Sequence, residues 1–120
     1  MDFALTEEQS AIFDMARDFG QEHIAPHART WESDGTIPKN LWLKLAELGF
    51  GGLYVSEERG GSGLSRLDAT LVFEALSQSC ASVSAFRSIY NMCARMIGAY
   101  GSDALKDRIL PKALTMETIL

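Results

Sequence analysis

The chain has 120 residues, 47% hydrophobic and 22% charged, with 11 basic against 16 acidic side chains and a net charge of −5. That length supplies one hydrophobic core, and an acidic balance without a basic run excludes partners recognised through a phosphate backbone. No window approaches the ~18 to 20 unbroken apolar residues of a membrane span.

The start, Met1 to Ala4, lacks the positive flank and apolar block of a secretory signal, so a protein that stays in its compartment of synthesis is expected. Cys80 and Cys93 are the only cysteines, and without a secretory context they read as reduced thiols packed as small apolar groups. The first element opens on Thr6-Glu7-Glu8-Gln9, a capping box in which Thr6 accepts from the Gln9 amide and the Gln9 side chain reaches back. Ile12, Phe13, Ala16, Phe19 and Ile24 then recur at helical spacing, predicting a helix over 7–25. Pro26 interrupts it, because the ring crowds the carbonyl four residues back and the nitrogen has no hydrogen. A second, shorter helix is expected over 26–32. His23 and His27 lie four apart, but the proline between them and the lack of a third ligand argue for surface histidines rather than a metal clamp.

Ser33-Asp34-Gly35-Thr36 is turn chemistry, and Pro38 opens a third helix whose stripe is Leu41, Trp42, Leu45, Ala46 and Leu48. Gly49 marks its stop in a left-handed backbone. The apolar, glycine-containing run 50–55 is too short for a helix and is expected to lie extended across the bundle surface. The loop Gly60-Gly61-Ser62-Gly63 lacks the preceding strand and the fixed spacing of a nucleotide cradle and reads as a close-approach turn.

Ser65 caps a helix expected over 66–79, with Leu67, Leu71, Val72, Ala75 and Leu76 as its stripe and Glu74 at its edge. The helix over 81–100 follows. Its apolar residues Val83, Phe86, Ile89, Tyr90, Cys93, Met96 and Ile97 fall on one side and are expected to be buried. Ser84, Ser88, Asn91 and Arg95 form a second face, with Arg87 and Met92 at its margins, and what that face meets is the functional question. Ser102 caps a last helix over 103–110, which Pro111 bends or ends. The apolar end, 116–120, suggests that further protein follows. The residues alone thus describe an all-α, orthogonal or up-down bundle of about six helices. They provide no nucleophile with a base beside it, no metal set and no catalytic residue of their own.

The sequence resembles the amino-terminal helical domain of the acyl-CoA dehydrogenase family over nearly its whole length. The resemblance rests on Leu5-Thr6-Glu7-Glu8-Gln9, Glu22-His23-Ile24-Ala25-Pro26, Leu48-Gly49-Phe50-Gly51-Gly52-Leu53-Tyr54, Gly60-Gly61-Ser62-Gly63-Leu64-Ser65 and Phe73-Glu74-Ala75-Leu76-Ser77, in the family's order. The runs Gly63-Leu64-Ser65-Arg66-Leu67-Asp68 and Ser88-Ile89-Tyr90-Asn91-Met92-Cys93-Ala94 look most like isobutyryl-CoA and related short branched-chain members. Such enzymes couple removal of two hydrogens from the α and β carbons of an acyl-CoA to reduction of FAD.

The resemblance implies that residues 1–120 are the amino-terminal domain, with the flavin-contacting β-domain and the carboxy-terminal helical domain that supplies the catalytic glutamate lying outside them. It also implies electron-transfer flavoprotein as acceptor, a homotetramer when complete, and a cytoplasmic location in a bacterium or the mitochondrial matrix in eukaryotic relatives. By the same resemblance Ser84, Ala85, Ser88 and Met92 line one wall of the acyl pocket. Two positions depart from the family pattern: Ser56 stands where many members have proline, and Arg87 stands where an apolar residue is common. Arg87 is accordingly expected to turn to solvent or to a partner domain. The competing reading is a non-catalytic helical interaction module or a truncated product.

Overall fold

A computed structural model describes residues 1–120, in six α-helices: α1 Glu7–Phe19, α2 Ala28–Asp34, α3 Lys39–Glu47, α4 Arg66–Ser77, α5 Ala81–Tyr100 and α6 Asp103–Leu114. There is no strand. The helices form a slab of 44 × 40 × 19 Å, about two helix diameters thick. α4 packs against both α1 and α5. Ala16, Phe19, Leu41, Leu45, Ala69, Val72, Leu76, Val83 and Tyr90 are buried together there.

The capping box of α1 forms as expected: the Gln9 amide donates to Thr6 Oγ1 at 3.1 Å and the Thr6 amide to Gln9 Oε1 at 3.0 Å. Gln9 does more. Its Nε2 donates to Asp68 Oδ1 at 3.0 Å, and Asp68 also accepts from the hydroxyl of its own cap, Ser65, at 2.7 Å. The first turns of α1 and α4 are thereby joined, and the hydrogen bonds from Gln9 and Ser65 hold the Asp68 carboxyl below its usual pKa.

The helix expected over 7–25 is continuous, but from Gly20 to Ile24 it widens into a π-turn in which the Ala25 amide donates to Gly20 O at 2.8 Å. Pro26, just beyond, cannot continue the ordinary bonding pattern. α2 starts two residues later than expected and ends on Gly35 at φ 71°. α3 follows its predicted stripe, and α4 does so at Leu71, Val72, Ala75 and Leu76 but not at Leu67, which is exposed in its first turn; Gly49 has φ 85°, and Glu74 is exposed. α6 runs through Pro111 to Leu114 instead of stopping at Leu110.

The segment 50–55 departs most from expectation. It is a run of turns, and Phe50, Leu53 and Val55 are 1–2% exposed. The glycine-rich loop closes over it, with Ser62, Leu64 and Gly63 amides donating to Gly52, Leu53 and Val55 carbonyls at 2.8, 2.8 and 2.9 Å. A Cβ on Gly61 would collide with the Val55 carbonyl, and one on Gly51 with the Leu114 carbonyl. The segment therefore threads through the interior, where each of its backbone polar groups needs a partner.

Candidate functional site

α5 has the ends the sequence predicts, but it is rotated about its axis. Val83, Ser84, Arg87, Tyr90, Asn91 and Ala94 are its buried residues. Ile89, Met92 and Met96, at 58%, 49% and 54%, are exposed. Relative to a helix buried on its apolar stripe, the buried side has moved by roughly a quarter-turn, given 100° per residue. Two of the residues expected inside, Ile89 and Met96, lie outside. Three of those assigned to the second face or its margin, Ser84, Asn91 and Arg87, lie inside.

The buried polar residues hold backbone. Asn91 Oδ1 accepts from the Leu53 amide at 2.7 Å, while Nδ2 donates to Arg87 O at 2.9 Å and Phe50 O at 3.3 Å. Ser84 Oγ donates to Phe73 O of α4 at 2.7 Å. Tyr90 Oη lies 2.8 Å from both Ala113 O and Thr118 O. Phe50 O, Leu53 N and Thr118 O are among the groups that irregular segments leave unpaired; Phe73 O, Arg87 O and Ala113 O belong to helices.

Arg87 corrects the expectation of a solvent-facing charge. It is 1% exposed, donates from Nη2 to Phe50 O and from Nη1 to Met116 Sδ at 3.0 Å, and stands 4.9 Å from the Tyr90 ring centroid. Its Nε has no partner. Burial pushes the guanidinium down to about 10, against a smaller opposing effect of Tyr90, so it remains charged at neutral pH. A carbonyl, a thioether and a ring face compensate the charge where a carboxylate is absent.

On the opposite side of α5, Ala81, Ala85, Ile89, Met92, Met96 and Ala99 succeed one another at spacings of three and four, and none carries a polar side-chain atom. Of the four residues assigned to an acyl pocket, Ala85 and Met92 are on this exposed face and Ser88 is half-buried on its flank. Ser88 Oγ donates back to Ala85 O at 3.1 Å, so its hydroxyl is spent on its own helix. Ser84 is separated from the other three: it faces α4, and its contribution is to seat the helix.

No group of three or more histidine, cysteine, aspartate or glutamate side chains could hold a metal, and both cysteines are free and half-buried. No helix is long and apolar enough to cross a membrane. The glycine-rich loop is a close-approach turn in which a Cβ on Gly61 would meet the Val55 carbonyl.

The acyl-CoA dehydrogenase N-terminal domain model matches residues 6–117. The chain belongs to the acyl-CoA dehydrogenase family. It is 47% identical over 115 residues to the mitochondrial isobutyryl-CoA dehydrogenase of Dictyostelium discoideum, covering 96% of this chain and 28% of that protein. It is 42% identical over 113 residues to the mitochondrial isobutyryl-CoA dehydrogenase of Bos taurus, covering 94% and 27%. Among solved structures it superimposes on PigA with FAD and proline at a TM-score of 0.90 and 33% identity, covering 99% of this chain and 32% of that one. The chain thus spans under a third of the length of these relatives, and it corresponds to the family's amino-terminal, all-α domain.

Proposed function

We propose that residues 1–120 form the amino-terminal domain of an FAD-dependent acyl-CoA dehydrogenase acting on a short, branched acyl-CoA such as isobutyryl-CoA, and that α5 supplies one wall of the acyl pocket. The observation that carries this is the fully apolar, exposed face of α5, on a helix whose other side is locked to three backbone segments. Such a face needs cover from another part of the protein or from an apolar ligand. Ala85, Ser88 and Met92 are the wall residues: two small side chains leave room for a branched acyl group, and Met92 adapts to its outline. Ser84 stands behind the wall and keeps α5 seated on α4. Ile89 and Met96 belong to the same face and meet the neighbouring domain.

On this reading the flavin-contacting β-domain and the carboxy-terminal domain with the catalytic base lie outside residues 1–120. The domain described here binds and shapes, and the bond-breaking groups come from elsewhere. Electron-transfer flavoprotein as acceptor, a homotetrameric assembly and a location in the bacterial cytoplasm or the mitochondrial matrix follow from the same reading. The test uses the protein expressed from its complete coding sequence. Anaerobic isobutyryl-CoA should bleach its flavin, whereas a complete product without flavin or without bleaching by any short acyl-CoA would favour a non-catalytic helical module. Ser88→Phe should lower kcat/KM for isobutyryl-CoA more than for a shorter acyl-CoA, and an unchanged preference would remove Ser88 from the wall.

A further inference from the structure

The end of α6 and the residues after it are held with unusual thoroughness for a chain segment with little secondary structure. Here Tyr90 Oη is within 2.8 Å of the carbonyls of both Ala113 and Thr118, and Arg87 Nη1 donates to Met116 Sδ at 3.0 Å. Lys39 Nζ reaches across from α3 to Glu117 O at 3.2 Å. Between these grips sits Met116, fully buried and the only non-glycine residue with a positive φ, at 62°. A side chain in that region is strained and persists only where its surroundings impose it. The turn is closed by Met116 and Thr118 amides donating to Ala113 O and Lys112 O, each at 3.1 Å.

The gripping side chains are themselves fixed. The Tyr90 ring lies 5.9 Å from the Phe86 ring, which stacks on Trp42 at 4.3 Å. Arg87 is anchored by the Phe50 carbonyl. Both project from the buried side of α5, the helix whose other side presents the apolar face. One rigid element therefore sets both the wall and the direction in which the chain leaves at residues 117–120, which are exposed.

We infer that Tyr90 and Arg87 are positioning residues that clamp the strained turn at Met116, and so fix the part of the protein continuing past Leu120 relative to the apolar face of α5. The inference rests on the proposed function in one respect: it takes the chain to continue into further domains. It assigns Arg87 a purpose that stability does not supply, because a buried guanidinium without a carboxylate is weak support for a fold.

The experiment compares the complete protein with its Tyr90→Phe, Arg87→Met and Arg87→Lys variants, by hydrogen exchange, solution scattering, and kcat and KM for isobutyryl-CoA. Tyr90→Phe removes one hydroxyl and should still fold. It should raise exchange at the Met116 and Thr118 amides at least ten-fold, leave α1 and α4 amides unchanged, change the scattering profile, and lower kcat about ten-fold with KM within two-fold. Arg87→Met should do the same while the protein stays folded, and Arg87→Lys, which keeps a donor on a long stem, should recover part of the lost kcat. Unchanged exchange at Met116 and Thr118 would overturn the clamp. Faster exchange with unaltered scattering and kinetics would reduce it to local tethering and overturn the positioning role. If the wild-type protein turns over no acyl-CoA, the proposed function fails on its own, and scattering still decides the clamp: a changed profile in Tyr90→Phe supports it and an identical one overturns it.

Discussion

The two sides of α5 differ in the opposite sense from an ordinary surface helix. Its buried side carries Ser84, Arg87, Tyr90 and Asn91 beside Val83 and Ala94, and its exposed side carries Ala85, Ile89, Met92 and Met96. The buried side meets the irregular 50–55 segment and the turn after α6, where polar side chains supply partners for Phe50 O, Leu53 N and Thr118 O. The exposed side has no such demand. Its apolar character is useful only if something apolar covers it, and the substrate wall proposed above is that use.

Mutations on the two sides should therefore separate folding from binding. The largest effect on folding stability is expected for Asn91→Ala, which strands the buried Leu53 amide and weakens the hold on Phe50 O, for a loss of about 3 kcal/mol. A urea midpoint close to wild type would show that Asn91 does not hold the segment. Ser84→Ala removes one bond to a helix carbonyl that keeps its other partners, so its loss should be about 1 kcal/mol in the same titration.

The link between the caps of α1 and α4 gives a smaller, pH-dependent effect. Because the Asp68 carboxyl titrates below its usual range in the folded chain, its contribution is fully present above the unfolded carboxylate value of about 3.9. It is lost as pH falls through the lower folded value. Acid titrations of wild type and Asp68→Asn should accordingly separate as pH rises from the lower folded value to about 4 and keep a constant separation above it; a separation that does not change across that acid range would mean that the ionised carboxylate contributes nothing. The smallest stability change is expected for Met92→Ser on the exposed side, within about 0.5 kcal/mol of wild type. The same substitution should raise KM for isobutyryl-CoA in the complete enzyme. A large stability loss would mean that this face is already packed.

Much of the architecture is legible in the residues. Thr6, Ser65 and Ser102 cap α1, α4 and α6 as their positions suggest, and Gly49 takes the left-handed conformation of a helix stop. The bounds of α5 are those its sequence predicts. Three features were not legible. The 50–55 run looks like a surface connection because nothing local indicates that Asn91, 38 residues away from Leu53, will supply its buried hydrogen bond. Arg87 looks like a surface charge because arginine is rarely fully buried, and a carbonyl, a thioether and an aromatic ring leave no pattern in sequence spacing. Ser84 looks like a pocket residue by family position and by its small size, yet its hydroxyl is committed to Phe73 O.

By itself the sequence determined the all-α class and the order of the helices, because capping, helical periodicity and turn glycines are local and act within a few residues of one another; the family rests on the resemblance of its motif runs. Tertiary structure alone decided which way α5 faces. Hydrophobic patterning shows how much of a helix is apolar, but α5 is rotated to place its polar groups on buried backbone carbonyls and amides that come together only after folding. That rotation turns Ala85, Ile89, Met92 and Met96 outward, and so creates the face from which the function is read.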